Sequence, residues 1–197
     1  MNLALFDFDG TITTRETFVD FINLAVPTKK LLLGKILLAP LVIGYKLGLV
    51  SVHTIRWAVA GIGFRGMTKT AAENAGAKFC NEFLPTVIRE HAIEKMQWHK
   101  AQGDTVVVVS GGFDLYLKHW CQQYGVELIC SALEVANGKL TGRYLGEQCV
   151  GKEKTRRIHE QYDIKSFAMV YAYGDTREDL DMLNIADKKY YGWQEVT

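Results

Sequence analysis

An excess of charge of either sign is missing from this 197-residue sequence. Its 23 lysines and arginines stand against 22 aspartates and glutamates, a formal net charge of +1. That balance gives no reason to expect a nucleic-acid partner, so any charge that matters must be local. Cysteine is sparse. Cys80, Cys121, Cys130 and Cys149 match neither a zinc pattern nor a disulfide framework, and they read as reduced thiols. No basic leader or small-residue cleavage site accompanies the apolar opening, which Asp7 and Asp9 interrupt, so the default expectation is a cytoplasmic location. Internal repeats and low-complexity linkers are absent. An unbroken membrane-length run is absent too. Leu31 to Val50 has about the length of a span, but Lys35, Pro40 and Lys46 interrupt it. Proline breaks a helix, so this segment is expected to form two short apolar helices meeting at Ala39-Pro40, buried or interfacial rather than spanning.

Apolar side chains are plentiful. Hydrophobic residues make up 48% of the chain and charged residues 23%, proportions that support a globular core. The length fits one core domain with a modest insertion, or two small domains. Leu3 to Phe6 reads as a short buried strand that delivers Asp7 and Asp9 at its C-terminal end. A helical pattern follows from Thr14 to about Leu84. Pro85 is expected to open an amphipathic helix over Thr86 to Ala101. The β-branched run Thr105 to Val109 lacks polar alternation, as in a strand covered on both faces, and it ends in Ser110-Gly111-Gly112. A helix over Phe113 to Tyr124, a strand over Glu127 to Cys130 and a hairpin turning at Asn137-Gly138 come next. Gly151 to Tyr162 reads as a basic helix and Phe167 to Tyr173 as a strand ending in Gly174-Asp175. A helix from Thr176 to Ile185 and a strand near Lys189 to Tyr191 complete the chain.

The expected architecture is therefore α/β: a Rossmann-like three-layer α/β/α core with a mostly parallel sheet. Residues 1–14 and 85–197 form that core, and residues 15–84 form a helical cap inserted after the first strand. Ligands of open α/β sheets bind beyond the carboxyl ends of the strands. That rule gathers Asp7, Ser110 and Asp175 at one edge.

Those residues suit phosphoryl chemistry. A phosphate monoester repels nucleophiles, so hydrolysis needs an in-line nucleophile, a neutralising cation and an acid for the leaving oxygen. One aspartate can attack while its neighbour two residues on serves as acid and then base. A third carboxylate suits Mg²⁺, which takes hard oxygen ligands. Ser110 and the N–H groups of Gly111 and Gly112 offer donors for phosphoryl oxygens. A lysine supplies fixed positive charge. Singly, each motif has an ordinary structural reading: a solvated strand end, a tight turn, a capped helix start. Their order, each after a buried strand, is what points to chemistry.

That set resembles the haloacid dehalogenase superfamily, and within it the phosphoserine phosphatase branch. The resemblance rests on Phe6-Asp7-Phe8-Asp9-Gly10-Thr11, Val109-Ser110-Gly111-Gly112-Phe113-Asp114, Lys152 to Lys154, and Gly174-Asp175 with Asp179. It implies a phosphatase with a phospho-aspartate intermediate and Mg²⁺ as cofactor. Asp7 would be nucleophile and metal ligand. Asp9 would be general acid/base, with its main-chain carbonyl on the metal. Thr11 and Ser110 would support the phosphoryl group, Asp175 would bind the metal, and Asp179 would stand nearby. Lys154 is the expected phosphate-site lysine, with Lys152 in reserve. Glu16 stands where that branch reads a substrate amino group. Arg56 and Arg65 are candidates for reading a carboxylate. The implied substrate is a small phosphorylated metabolite such as phosphoserine. The apolar segment after Leu31 keeps open a phospholipid-precursor phosphatase with peripheral membrane contact, and a phosphotransferase is the other enzymatic alternative.

Overall fold

The computed structural model describes residues 1–197. Strand β1 (Leu3–Phe6) is followed by a tight loop and four helices, α1 (Phe18–Ala25), α2 (Thr28–Lys46), α3 (Val52–Phe64) and α4 (Lys69–Lys78). Then come α5 (Glu90–Ala101), β2 (Thr105–Phe113), α6 (Asp114–Tyr124), β3 (Glu127–Ser131) and the hairpin β4 (Leu133–Ala136) and β5 (Lys139–Tyr144). The chain ends with α7 (Lys152–Gln161), β6 (Val170–Gly174), α8 (Leu180–Asn184), β7 (Lys188–Tyr191) and β8 (Gln194–Val196).

Six strands form one sheet in the order β3-β2-β1-β6-β7-β8, parallel except at β7–β8. Successive side chains of a strand face opposite sides. Ala4, Phe6, Val106 and Val108 therefore join one buried cluster, and Leu3, Leu5, Val107 and Val109 join another. The first is covered by α4, α5 and α6, among others, through Ala72, Met96 and Trp120. The second is covered by α7 and α8 through Ile158, Met182 and Leu183. This is the three-layer α/β arrangement the apolar runs implied.

The helices after β1 pack against the sheet side of the molecule. Phe21 of α1, Phe64 of α3 and Phe79 meet Phe113 or Tyr116 of the sheet side within one aromatic cluster, with ring centroids 4.8–6.3 Å apart. Helix α4 lies so close to α6 that a Cβ at Gly76 would stand 1.8 Å from the Leu115 carbonyl oxygen. The β4–β5 hairpin turns at Asn137-Gly138, both with positive φ, as a two-residue turn of this type requires. It is stitched to the α3–α4 connection through Gly66 N–H to Leu140 O (2.8 Å) and Lys69 N–H to Gly138 O (2.9 Å).

Several expected boundaries move. Leu31 to Val50 does not hold two helices meeting at Pro40, because α2 runs continuously across it. Proline removes one backbone donor, and Pro40 stands on the exposed side where water can satisfy the freed carbonyl. Nor is the segment buried: Gly34 is the one fully buried residue of α2. The helix expected from Thr86 starts at Glu90 instead. Ile88 pairs with Thr13, and the Arg89 N–H bonds to the Ile12 carbonyl, so a long-range pairing overrides local helix propensity. Strand β2 does not stop at Val109. It continues to Phe113, with a register shift against β3 that places Gly111 and Gly112 in an irregularity of the strand rather than in a turn.

Candidate active site

The loop after β1 continues the sheet for one bond, the Asp7 N–H donating to the Tyr173 carbonyl at 2.9 Å. It then turns at Gly10, whose φ of +84° favours glycine. Phe8 and Ile12 go into the core, while the carboxylates of Asp7 and Asp9 line a polar hollow. The turn is held from behind by Trp193, whose indole N–H donates to the Thr11 carbonyl at 3.1 Å.

The strongest feature is Lys154, only 2% exposed. Its Nζ donates to Asp7 Oδ1 at 2.5 Å and to Asp179 Oδ1 at 2.6 Å. Lys154 and Ile158 form the buried stripe of α7 at i,i+4, whereas Lys152 is exposed. Asp179 also accepts from Thr176 N–H and Oγ1, both at 2.9 Å, so it ties the lysine to the loop after β6. Burial alone would lower the lysine's pKa. The charges of Asp7 and Asp179 outweigh it and hold the ammonium above its ordinary value. Burial pushes Asp7 well above the usual carboxylate range. Lys154 opposes that rise, while Asp179 and Asp9 add to it. Asp179 is held low, because Lys154 and the Thr176 hydrogen bonds overcome its burial.

Asp7, Asp175 and Asp179 offer carboxylate oxygens that all lie within 4.8 Å of one another. One lysine cannot balance three clustered carboxylates, and an all-oxygen donor set fits Mg²⁺. The packing leaves Asp175 little room to withdraw: its Oδ1 accepts from Thr11 Oγ1 at 3.0 Å, and a Cβ on Gly10 would stand 2.2 Å from its Oδ2. The residues present therefore fit the cation. The carboxylate of Asp9 is not part of this group. Its Oδ1 accepts from the Thr17 N–H (2.9 Å) and Oγ1 (2.6 Å) at the start of α1. Burial raises the Asp9 pKa, partly offset by those Thr17 bonds.

Arg56 reaches the same hollow from α3, with its side chain 12% exposed. Its Nη2 lies 3.0 Å from Glu16 Oε2 and its Nη1 3.8 Å from Glu178 Oε2. A Cβ on Gly111 would stand 3.1 Å from that Nη1, so the guanidinium covers the Ser-Gly-Gly segment. Desolvation, helped by the charge of Asp9, pushes the Glu16 pKa up to about 7. Its side chain is still 54% exposed, and the solvent there moderates that rise. Arg65 does not reach the site. It is exposed, and its Cβ lies against the position of Gly142 instead.

Asp7, Asp9, Glu16, Arg56, Ser110, Gly111, Lys154 and Asp179 thus line one hollow. Asp175 flanks it through the carboxylate group. Thr11 lies behind, on Asp175, and the Gly112 N–H donates to Ser110 Oγ at 3.0 Å. A larger hollow, about 550 Å³, opens between His53, Trp57 and Glu153, but it holds no comparable carboxylate cluster. Thr17, Thr176 and Glu178 are additions that sequence reasoning missed. Thr17 had a signal, since it immediately precedes an apolar helical stretch. Glu178 lies between Asp175 and Asp179, and its spacing carries no signal of its own.

A family model described as haloacid dehalogenase-like hydrolase matches residues 4–184. Protein CicA of Caulobacter vibrioides is 30% identical over 197 residues, covering 96% of this chain and 85% of that protein. The phosphoserine phosphatase of Albidiferax ferrireducens is 35% identical over 94 residues, 44% of this chain and 40% of that one. Among solved structures, a Bordetella pertussis Tohama I protein of unknown function has a TM-score of 0.80 at 19% identity, covering 96% of this chain and 89% of its own. A phosphoserine phosphatase solved as a phospho-aspartyl intermediate analogue has a TM-score of 0.67 at 24% identity, covering 96% and 85%. The two structural likenesses concern the fold.

Proposed function

The chain belongs to the haloacid dehalogenase-like hydrolases, and on that premise we propose that it is a phosphoric monoester hydrolase, Mg²⁺-dependent, working through a phospho-Asp7 intermediate. The observation that carries the reading is buried Lys154 held between Asp7 and Asp179 beside a third carboxylate, Asp175. An ammonium buried at such cost against a would-be nucleophile is expected where phosphoryl charge has to be received.

Asp7 attacks phosphorus in line and the ester P–O bond breaks. Asp9, whose pKa burial raises, gives its proton to the leaving oxygen. Asp9 then takes a proton from water as that water attacks phospho-Asp7, which releases phosphate and restores the carboxylate. Ser110 Oγ and the Gly111 N–H orient the phosphoryl oxygens, and Lys154 balances their charge. Asp7, Asp175 and Asp179 would hold Mg²⁺, with Asp9 contributing its main-chain carbonyl. When bound, the cation neutralises phosphoryl charge that would otherwise repel the attacking carboxylate. Residues 15–84 act as a cap that excludes water from the hollow.

The Glu16–Arg56 pair supports a small substrate bearing both an ammonium and a carboxylate, of the phosphoserine type. Such a substrate would exchange the internal ion pair for two of its own. Phosphate release with Mg²⁺ should be compared for phosphoserine, histidinol phosphate, sugar phosphates and lipid head-group phosphates. The expected result is turnover that Asp7→Asn abolishes. Acceptor-dependent transfer without free phosphate would reassign the protein to the phosphotransferases.

A further inference from the structure

Helix α2 is poorly covered. Leu31, Gly34, Leu38, Leu41 and Gly44, at three- and four-residue spacing, form its less exposed side. Gly34 on that side packs toward Ile62 of α3. The remaining surface is apolar and faces outward. Leu32, Leu33, Leu37 and Ile43 are exposed and Ile36 is 72% exposed, and Leu47 and Leu49 in the following loop extend the patch. An open groove of about 500 Å³ between α1, α2 and α3, lined by Val19, Val42 and Val59, continues it. A helix that faces water normally turns polar residues outward, and contiguous apolar exposure of this kind marks an interaction site.

Charge selects the occupant. No aspartate or glutamate occurs between Asp20 and Glu73, whereas α2 carries Lys29, Lys30, Lys35 and Lys46. Lys30 is occupied by the carbonyls of Gly63 and Arg65. Lys29, Lys35 and Lys46 are exposed on a segment with no carboxylate of its own. A second copy of the chain would bring the same lysines to an isologous contact, where like charges oppose each other. An anionic bilayer offers hydrocarbon and negative charge together, and lysine stems reach past apolar neighbours to place their ammonium groups at the head groups. No helix is long and apolar enough to cross a membrane. Contact is therefore with the helix lying in the interface.

We propose that α2 and the Leu47–Leu49 loop form a docking surface for an anionic lipid bilayer, with Lys29, Lys35 and Lys46 on head-group phosphates. Helix α3 backs this surface with Val59 and Ile62 while its Arg56 reaches the phosphate hollow, so docking sets the rim of the active site one helix away from the lipid. The surface does not depend on which ester is hydrolysed.

The test is flotation of the full chain with phosphatidylcholine vesicles, with and without phosphatidylglycerol, read alongside sedimentation equilibrium. The chain should float with the anionic vesicles alone, and added salt should release it. Ile36→Glu with Leu37→Glu should abolish flotation and leave Tm unchanged, since both side chains are exposed. Lys29→Gln, Lys35→Gln and Lys46→Gln together should weaken partitioning by roughly fivefold per lysine. No flotation, equal flotation with both vesicle types, or a dimer that Ile36→Glu dissociates would each overturn the proposal.

Discussion

Replacing Lys154 by methionine removes one charge from the centre of the site and keeps most of the side-chain volume. Asp7 and Asp179, each bonded to that ammonium, are left facing each other away from water. Removing one partner of a buried ion pair costs about 3–5 kcal/mol. Asp7 can relieve part of this by taking a proton, since burial already drives its pKa upward. In a chain of this length each kcal/mol corresponds to about 2–4 °C, so Tm should fall by roughly 5–15 °C. The sign with pH follows from the shifts. Lys154 is raised in the fold, so its contribution is full below the unfolded lysine pKa and lost only as pH rises through the folded one. Asp179 is depressed, so its contribution is present above the unfolded carboxylate pKa and lost as pH falls through the folded one. The gap between wild type and variant should thus be widest at neutral pH and close towards strong acid. Hydrolysis of an aryl phosphate should fall by about 10²–10³-fold, the scale for removing a preorganised electrostatic group. Differential scanning fluorimetry across pH, with steady-state kinetics, measures both. Exposed Lys152→Met is the control and should change neither. Wild-type Tm and kcat in the Lys154 variant would refute the reasoning.

Three further outcomes are expected. Gly10→Ala forces a side chain into positive φ and sets its Cβ 2.2 Å from Asp175 Oδ2; calorimetric titration should show weakened Mg²⁺ binding, and wild-type affinity would contradict the carboxylate cluster as the metal site. Thr17→Val removes the hydroxyl bond that lowers the Asp9 pKa, so the general acid should stay protonated to higher pH and the alkaline limb of the kcat profile should move up; an unmoved limb would detach Thr17 from catalysis. Desolvation pushes Glu16 up to about 7, a rise its exposed side chain moderates, so KM for an ammonium-bearing phosphate ester should rise as pH falls below neutrality, and Glu16→Gln should flatten the dependence. A pH-dependent KM surviving in that variant would remove Glu16 as the ammonium reader.

The legible parts of this protein share a physical cause. Thr105 to Val109 is apolar at every valine, and only a strand covered on both faces tolerates that, so the three layers followed. Asp7 and Asp175 follow buried strands and Ser110 lies in the last part of β2, and the parallel pairing brings those positions to one edge. The separation of Lys154 from Lys152 was also within reach, because Lys154 and Ile158 share the buried stripe of α7.

The remaining choices belong to contacts between residues far apart in the chain. The pairing of Ile88 with Thr13 delays α5 to Glu90, and no local pattern carries that information. Arg56 rather than Arg65 meets Glu16 because α3 presents that residue to the hollow across a sequence distance of forty residues. The Asp9 carboxylate turns to Thr17, away from the cluster of Asp7, Asp175 and Asp179. Local periodicity therefore determined the layers and the strand ends that gather the candidate site. Only the tertiary structure decided which charges face one another, because charge pairing acts through space and depends on burial, and neither is written in spacing along the chain.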